Sequence, residues 1–224
     1  MCNRYHPSKI EKLRQQTLFS VPPSVNTSWR PGIGPWGHGP FVRPGDHGFE
    51  LRTGLWALIG DDDKKPMNQP RMTNCARSEE IALKKTYRGP WARSQRCVIP
   101  AERFDYPNWE SGKNEWWTFR RADGLPWLLA GIWNNWTDKA TGETFESYSM
   151  LTQNCDAHPL LNRFHKPEPD LPADKQDKRT VVPIEVEEVE TWLTGSIAEA
   201  SALIRLRPVE LYDAHPDRLD PNPV

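Results

Sequence analysis

The sequence predicts a single α+β domain built on a mainly antiparallel sheet. Strand-like segments follow one another with only turn residues between them, at 115–121 (EWWTFRR), 126–134 (PWLLAGIWN) and 144–152 (TFESYSMLT). That is the pattern of an antiparallel meander, not of alternating βαβ units. The chain has 224 residues, 37% hydrophobic and 26% charged, which suits one domain with a sizeable core. The core is expected over about 2–195, with a C-terminal tail at 208–224.

Taken in order, SKIEKLRQQ (8–16) reads as a short helix with Ser8 as N-cap and Glu11 at the capping-box position. Residues 20–48 are rich in proline and glycine, which forbids regular structure over most of that stretch. FELRTGLWALI (49–59) reads as a strand, and RSEEIALKKTY (77–87) as a helix with Ser78 as a cap. RCVIP (96–100) reads as a short buried strand. Residues 166–178 form a charged, proline-rich surface loop. TVVPI (180–184) is the final strand, and EVEEVETWLTG a helix closing at Gly195.

Composition narrows the function. The net charge is −1, without the basic excess of a general nucleic-acid coat, though a local basic groove is compatible with it. The sequence has no apolar run long enough to span a bilayer and no apolar signal core at its start, so a cytoplasmic protein with no membrane partner is expected, as a monomer. Cysteines stand at 2, 75, 97 and 155 with no CxxC pair, so neither zinc nor disulfides are indicated. Cys75, Cys97 and Cys155 read as buried small hydrophobes. No HxxxH or HExxH spacing is present, and no cofactor is implied. His6 is expected to be solvated and His158 to be a cap or packing residue. Eleven tryptophans suit a loop-rich core, with a few rings left to stack on bases.

Cys2 is set apart by its position. Once Met1 is removed, it carries an α-amine with a pKa of about 8 beside an intrinsically nucleophilic thiol. An aldehyde meeting that pair can form a Schiff base and then close to a thiazolidine ring. Arg4, two residues on, lies on the same side of an extended segment, where a cation favours the thiolate and can hold a phosphate.

MCNRY at the N-terminus resembles the start of the SOS response-associated peptidase (SRAP) family, which shields abasic sites. RMTNCARSEE (71–80), RCVIPAERFDYPNWE (96–110), HPLLNRFHKPEP (158–169) and KRTVVPIEVEEVETWL (178–193) are similar to further family segments, in the family's order. The resemblance implies a curved, mostly antiparallel, barrel-like sheet with peripheral helices. It implies a DNA-damage enzyme that binds single-stranded DNA containing abasic sites and crosslinks covalently to them, with an autoproteolytic peptidase activity. It makes Cys2 the nucleophile, Asn74 the residue that orients the α-amine and the sugar, and His165 the proton-handling group. Arg4, Arg43 and Arg77 are candidates for DNA phosphates.

The sequence departs from the family at three points. Asn3 replaces a glycine. Asn74-Cys75-Ala76-Arg77 is one residue longer than the usual motif, so either a bulge absorbs the extra residue or Cys75 takes the asparagine's place, and Asn74 is favoured. Tyr106 stands where the family has its catalytic glutamate, and a phenol with a pKa of about 10 is a poor general base. The nearest carboxylate, Asp105, is one residue early and would point to the opposite face of a strand, so it serves as the catalytic carboxylate only if the backbone is irregular there, as Pro107 allows, while Tyr106 could bond to the substrate. Glu102 and Glu110 are weaker substitutes. Two other readings stay open: a binding module that holds single-stranded or abasic DNA non-covalently, and an N-terminal-cysteine amidohydrolase.

Overall fold

The structure is a computed structural model that describes residues 3–15, 18–23, 25–63 and 72–217. Five strands close a barrel: β2 (His38–Gly45), β3 (Gly48–Leu55), β5 (Arg96–Asn108), β7 (Trp127–Thr137) and β8 (Thr144–Asn154). β3 pairs with β2, β2 with β5, β5 with β7 and β7 with β8, all antiparallel, and a parallel bridge between Leu55 and Ser147 closes the ring. Around it, β1 (Arg4–Pro7) and β6 (Glu115–Arg121) pair with β5, β4 (Cys75–Arg77) runs parallel to β8, β9 (Arg179–Val181) pairs with β8, and β10 (Tyr212–Pro216) pairs with β6. Short helices α1 (Ile10–Arg14), α2 (Lys85–Ala92), α3 (Val189–Thr194) and α4 (Ile197–Ala202) lie at the periphery. This is the curved, barrel-like α+β sheet that the resemblance implies.

Alternation along the strands divides the core into two layers. Phe41, Cys97, Ile99 and Leu129 face an aromatic interior with Trp56, Phe104, Phe119 and Trp127. Their neighbours Val42, Val98, Leu128 and Ala130 face outward, under Leu13 of α1 and Trp192 of α3. Trp192 is fully buried, and its indole N–H donates to the Cys97 carbonyl at 2.8 Å. Trp192→Ala should therefore cost about 3–5 kcal/mol, read as a shift in the denaturant midpoint.

Several local expectations are corrected. β5 runs for 13 residues, not five. Its first half pairs with β7 and its second half with β6, so β6 and β7 share β5 and do not pair as a simple meander. Twist accumulated over so long a strand carries its two halves into different parts of the sheet. Ser8 does not cap α1: its N–H continues the strand by donating to the Pro100 carbonyl at 3.1 Å, and Lys9 takes the N-cap position. Residues 78–84 are turns and the helix begins at Lys85, because the Ser78 N–H is bound to the Thr152 carbonyl of β8 at 2.9 Å. The segment at 20–48 is irregular only as far as β2. The last strand is β10, inside the expected tail.

Candidate active site

Asn74 stands immediately before β4 and is buried. Its carbonyl accepts from the Met150 N–H at 2.8 Å, and its Nδ2 lies 3.5 Å from the Cys75 sulfur. Cys75 faces the interior, where burial raises its pKa to about 12. It is thus a thiol at neutral pH and a poor nucleophile. Cys97 and Cys155 are likewise buried thiols with raised pKa values, again mainly through burial.

His165 follows a turn of 3-10 helix at Leu161–Arg163 and sits at φ 67°, a left-handed conformation that costs a non-glycine residue energy. Three bonds hold it there. Its N–H donates to the Pro107 carbonyl at 2.7 Å, its own carbonyl accepts from Lys178 Nζ at 2.8 Å, and its ring Nε2 lies 2.9 Å from the Arg179 carbonyl. A carbonyl can only accept, so Nε2 carries the hydrogen and Nδ1 the lone pair. Burial, joined by the positive charge of the chain's amino terminus, lowers the His165 pKa to about 3. The ring is therefore neutral at pH 7, with a fixed tautomer and a weakly basic nitrogen that accepts hydrogen bonds.

Tyr106 is buried against this ring, 4.7 Å between centroids. Its hydroxyl accepts from the Val181 N–H at 2.9 Å and lies 3.2 Å from the Thr180 hydroxyl, so β9 engages it. Tyr106 and Cys75 belong to the same interior cluster. Asp105 points to the other face of β5, as the strand period requires. It is fully buried, 2.5 Å from Arg4 Nε and 2.8 Å from His6 Nε2. Burial alone would raise its pKa, but the His6 hydrogen bond and the charges of His6 and Arg4 outweigh it and hold the carboxyl below its ordinary value. Asp105 is therefore an ionised anchor for β1.

Cys2 lies outside the described residues. Arg4 is buried, lies 2.8 Å from Asp217 as well as bonding Asp105, and stacks over Trp116. A phosphate would have to compete with two carboxylates there. Arg43 packs over Trp133 at 4.5 Å and pairs with Glu50 and Glu146. Arg77 is the most exposed of the three, at 43%, and pairs with Asp177 at 2.8 Å. Glu110 pairs with Arg163, and Glu102 with Lys12. His158 caps the following turn, accepting from the Leu160 and Leu161 N–H groups. Sequence reasoning missed His6, Asp217 and the carbonyl of Arg179. His6 is half-buried on Asp105, not solvated; only its spacing from Arg4, two residues along the same strand face, could have signalled it. Among the described residues, no cluster of His, Cys, Asp or Glu side chains is placed to hold a metal ion, and no helix is long and apolar enough to cross a membrane.

The structure is an α+β protein with a five-stranded barrel, a flanking strand β1 anchored to β5 by a buried carboxylate, and a neutral histidine packed on Tyr106 of the interior cluster. The family model for SOS response associated peptidase (SRAP) matches residues 1–218, and the chain belongs to that family. A solved protein of Bordetella bronchiseptica is 30% identical, with a TM-score of 0.85 over 97% of this chain and 100% of that one. A solved protein of Bacteroides thetaiotaomicron is 21% identical, with a TM-score of 0.80 over 98% of this chain and 93% of that one, a likeness of fold. The abasic site processing protein HMCES of Xenopus tropicalis is 24% identical over 181 residues. The match covers 72% of this chain and 50% of that protein, so the chain spans about half the length of the curated relative.

Proposed function

We propose that this protein processes abasic sites in single-stranded DNA by linking Cys2 covalently to the opened sugar. The observation that carries the reading is His165, a neutral imidazole of fixed tautomer packed on Tyr106 one strand position beyond the Arg4–Asp105 pair. Cys2 stands two residues before Arg4 in the chain. After loss of Met1, the α-amine of Cys2 adds to the C1′ aldehyde, and water leaves to give an imine. The thiol then adds to the imine carbon, its proton passes to the nitrogen, and a thiazolidine closes. Nδ1 of His165 accepts a hydrogen bond from the group that loses its proton and so orients it, while water carries the proton, because burial holds the ring's pKa at about 3. Asn74 orients the amine and the sugar. The name of the HMCES relative supports the same substrate. A peptidase step that frees Cys2 from a leader is part of the same proposal.

Two measurements test it. Intact mass should show the loss of Met1, and oligonucleotides with and without an abasic site should give a denaturation-resistant adduct only with the former. Absence of that adduct from the processed protein sinks the reading. His165→Ala should slow adduct formation by about 10²–10⁴-fold while leaving non-covalent affinity within about twofold. A second reading is favoured by Tyr106, whose buried hydroxyl β9 engages where the family carries its glutamate. In that case the protein binds single-stranded or abasic DNA without covalent chemistry, and affinity survives Cys2→Ala with no adduct from the wild type.

A further inference from the structure

The loop at 166–177 is bounded by two residues in left-handed backbone, His165 at φ 67° and Asp177 at φ 51°. Both carry a Cβ, so their surroundings must hold them there. Lys178 follows the loop and joins its two ends. Its Nζ donates to the His165 carbonyl at 2.8 Å. Its own backbone is fixed on both sides: the N–H donates to Asp156 Oδ1 at 2.7 Å, and the carbonyl accepts from the Cys155 N–H at 2.8 Å.

Lys178 is set apart from the other cations of the fold. Among the described residues it is the only buried lysine. Buried Arg4, Arg121, Arg179 and Arg207 each hold a carboxylate. Buried Arg96 donates to the Trp192 and Gly195 carbonyls at the end of α3. The Lys178 ammonium makes no ion pair among the described residues, and the Asp156 carboxylate is occupied by the N–H groups of Asp177 and Lys178. A buried ammonium without a carboxylate is costly, and burial lowers its pKa. That charge is directed at one carbonyl, the one belonging to His165.

The next residue completes the hold. The Arg179 carbonyl lies 2.9 Å from His165 Nε2, while the Arg179 side chain is tied to Glu79 and to the Thr152 carbonyl of β8. Consecutive residues therefore grip the histidine at two points, Lys178 at the backbone and Arg179 at the ring. Both are fastened to β8 or to the residues just after it.

We infer that Lys178 is a positioning residue, whose ammonium holds the His165 backbone in the left-handed conformation that presents the ring to the Arg179 carbonyl. The ring then keeps its Nδ1 lone pair aimed at the reacting group. The inference rests on the reading that His165 serves a reaction on abasic DNA, but the grip on the ring exists without DNA and can be measured without it.

Lys178→Met keeps the length of the side chain and removes the donor. With histidine nitrogens labelled for NMR, wild type should show His165 as one tautomer, with the hydrogen on Nε2, and no protonation down to about pH 5. The variant should show both tautomers and begin to protonate at higher pH, because the ring is looser and a neighbouring positive charge is gone. At saturating abasic single strand it should crosslink about 10- to 100-fold more slowly, with the half-saturating concentration within about twofold. Lys178→Arg, which keeps a charged donor, should retain the single tautomer. If Lys178→Met does not fold, Lys178→Gln, one atom shorter, carries the same expectations. A wild-type tautomer and titration in the folded variant overturn the inference, as does a loosened ring that crosslinks at the wild-type rate. If wild type gives no adduct, the functional reading fails, while the tautomer comparison still decides whether Lys178 holds the ring.

Discussion

Cys2→Ala should abolish the denaturation-resistant adduct with abasic single strands while leaving non-covalent affinity within about twofold. The other three cysteines cannot substitute. Cys75, Cys97 and Cys155 are buried with raised pKa values, so each is a thiol at neutral pH and shielded from a sugar. The chemistry also separates the two nucleophiles of residue 2. Cys2→Ser keeps the α-amine but lacks the sulfur that closes the ring. It should give a reversible imine, trapped on a denaturing gel only after hydride reduction. An adduct of wild-type yield and stability from Cys2→Ala would show that the reaction lies elsewhere.

The second large effect is on stability. Asp105→Ala should destabilise the fold by about 3–5 kcal/mol, because it leaves a buried arginine with one of its two carboxylates missing. The carboxylate has no exposure and ties Arg4 and His6 to β5. Since β1 carries the residues that lead to Cys2, the same variant should slow the crosslink even where it is folded. Chemical denaturation, followed by adduct assays below the unfolding midpoint, separates the two effects.

The pH dependence follows from the same groups. The folded pKa of His165 is lowered from 6.5 to about 3, so between those values the unfolded chain binds the extra proton. Its contribution to stability is complete above pH 6.5 and is lost as pH falls towards 3. Asp105 is also lowered, from 3.8, so its contribution is present above that value and is lost as pH falls further. His165→Gln should therefore flatten the upper part of the acid-stability curve, and Asp105→Asn the lower part. The same slope in wild type and His165→Gln between pH 6.5 and 4 would contradict the buried neutral ring.

The residues of the proposed site were picked from short motifs: Cys2 with Arg4, Asn74 beside Cys75, and His165 in HPLLNRFHKPEP. Whether Asp105 would share a face with Tyr106 was left open by Pro107, and the regular pairing of β5 with β6 sets the two on opposite faces. What was not legible depends on partners that carry no local signal. The Arg179 carbonyl fixes the tautomer of His165, yet any residue at 179 would supply a carbonyl. Asp217 reaches Arg4 across the whole chain, from a segment whose composition reads as a tail. His6 gained its role only when β1 paired with β5.

The sequence by itself determined the family, the α+β class, the strands at 126–134 and 144–152 and the chemical types available for a site, because these follow from alternation, turn residues and motif order; it did not show β2 or the length of β5. Tertiary structure decided how β5 divides between β6 and β7, how a parallel bridge closes the barrel, and which charges are buried and paired. Those outcomes depend on residues about a hundred positions apart meeting in space, where burial and pairing set pKa and exposure.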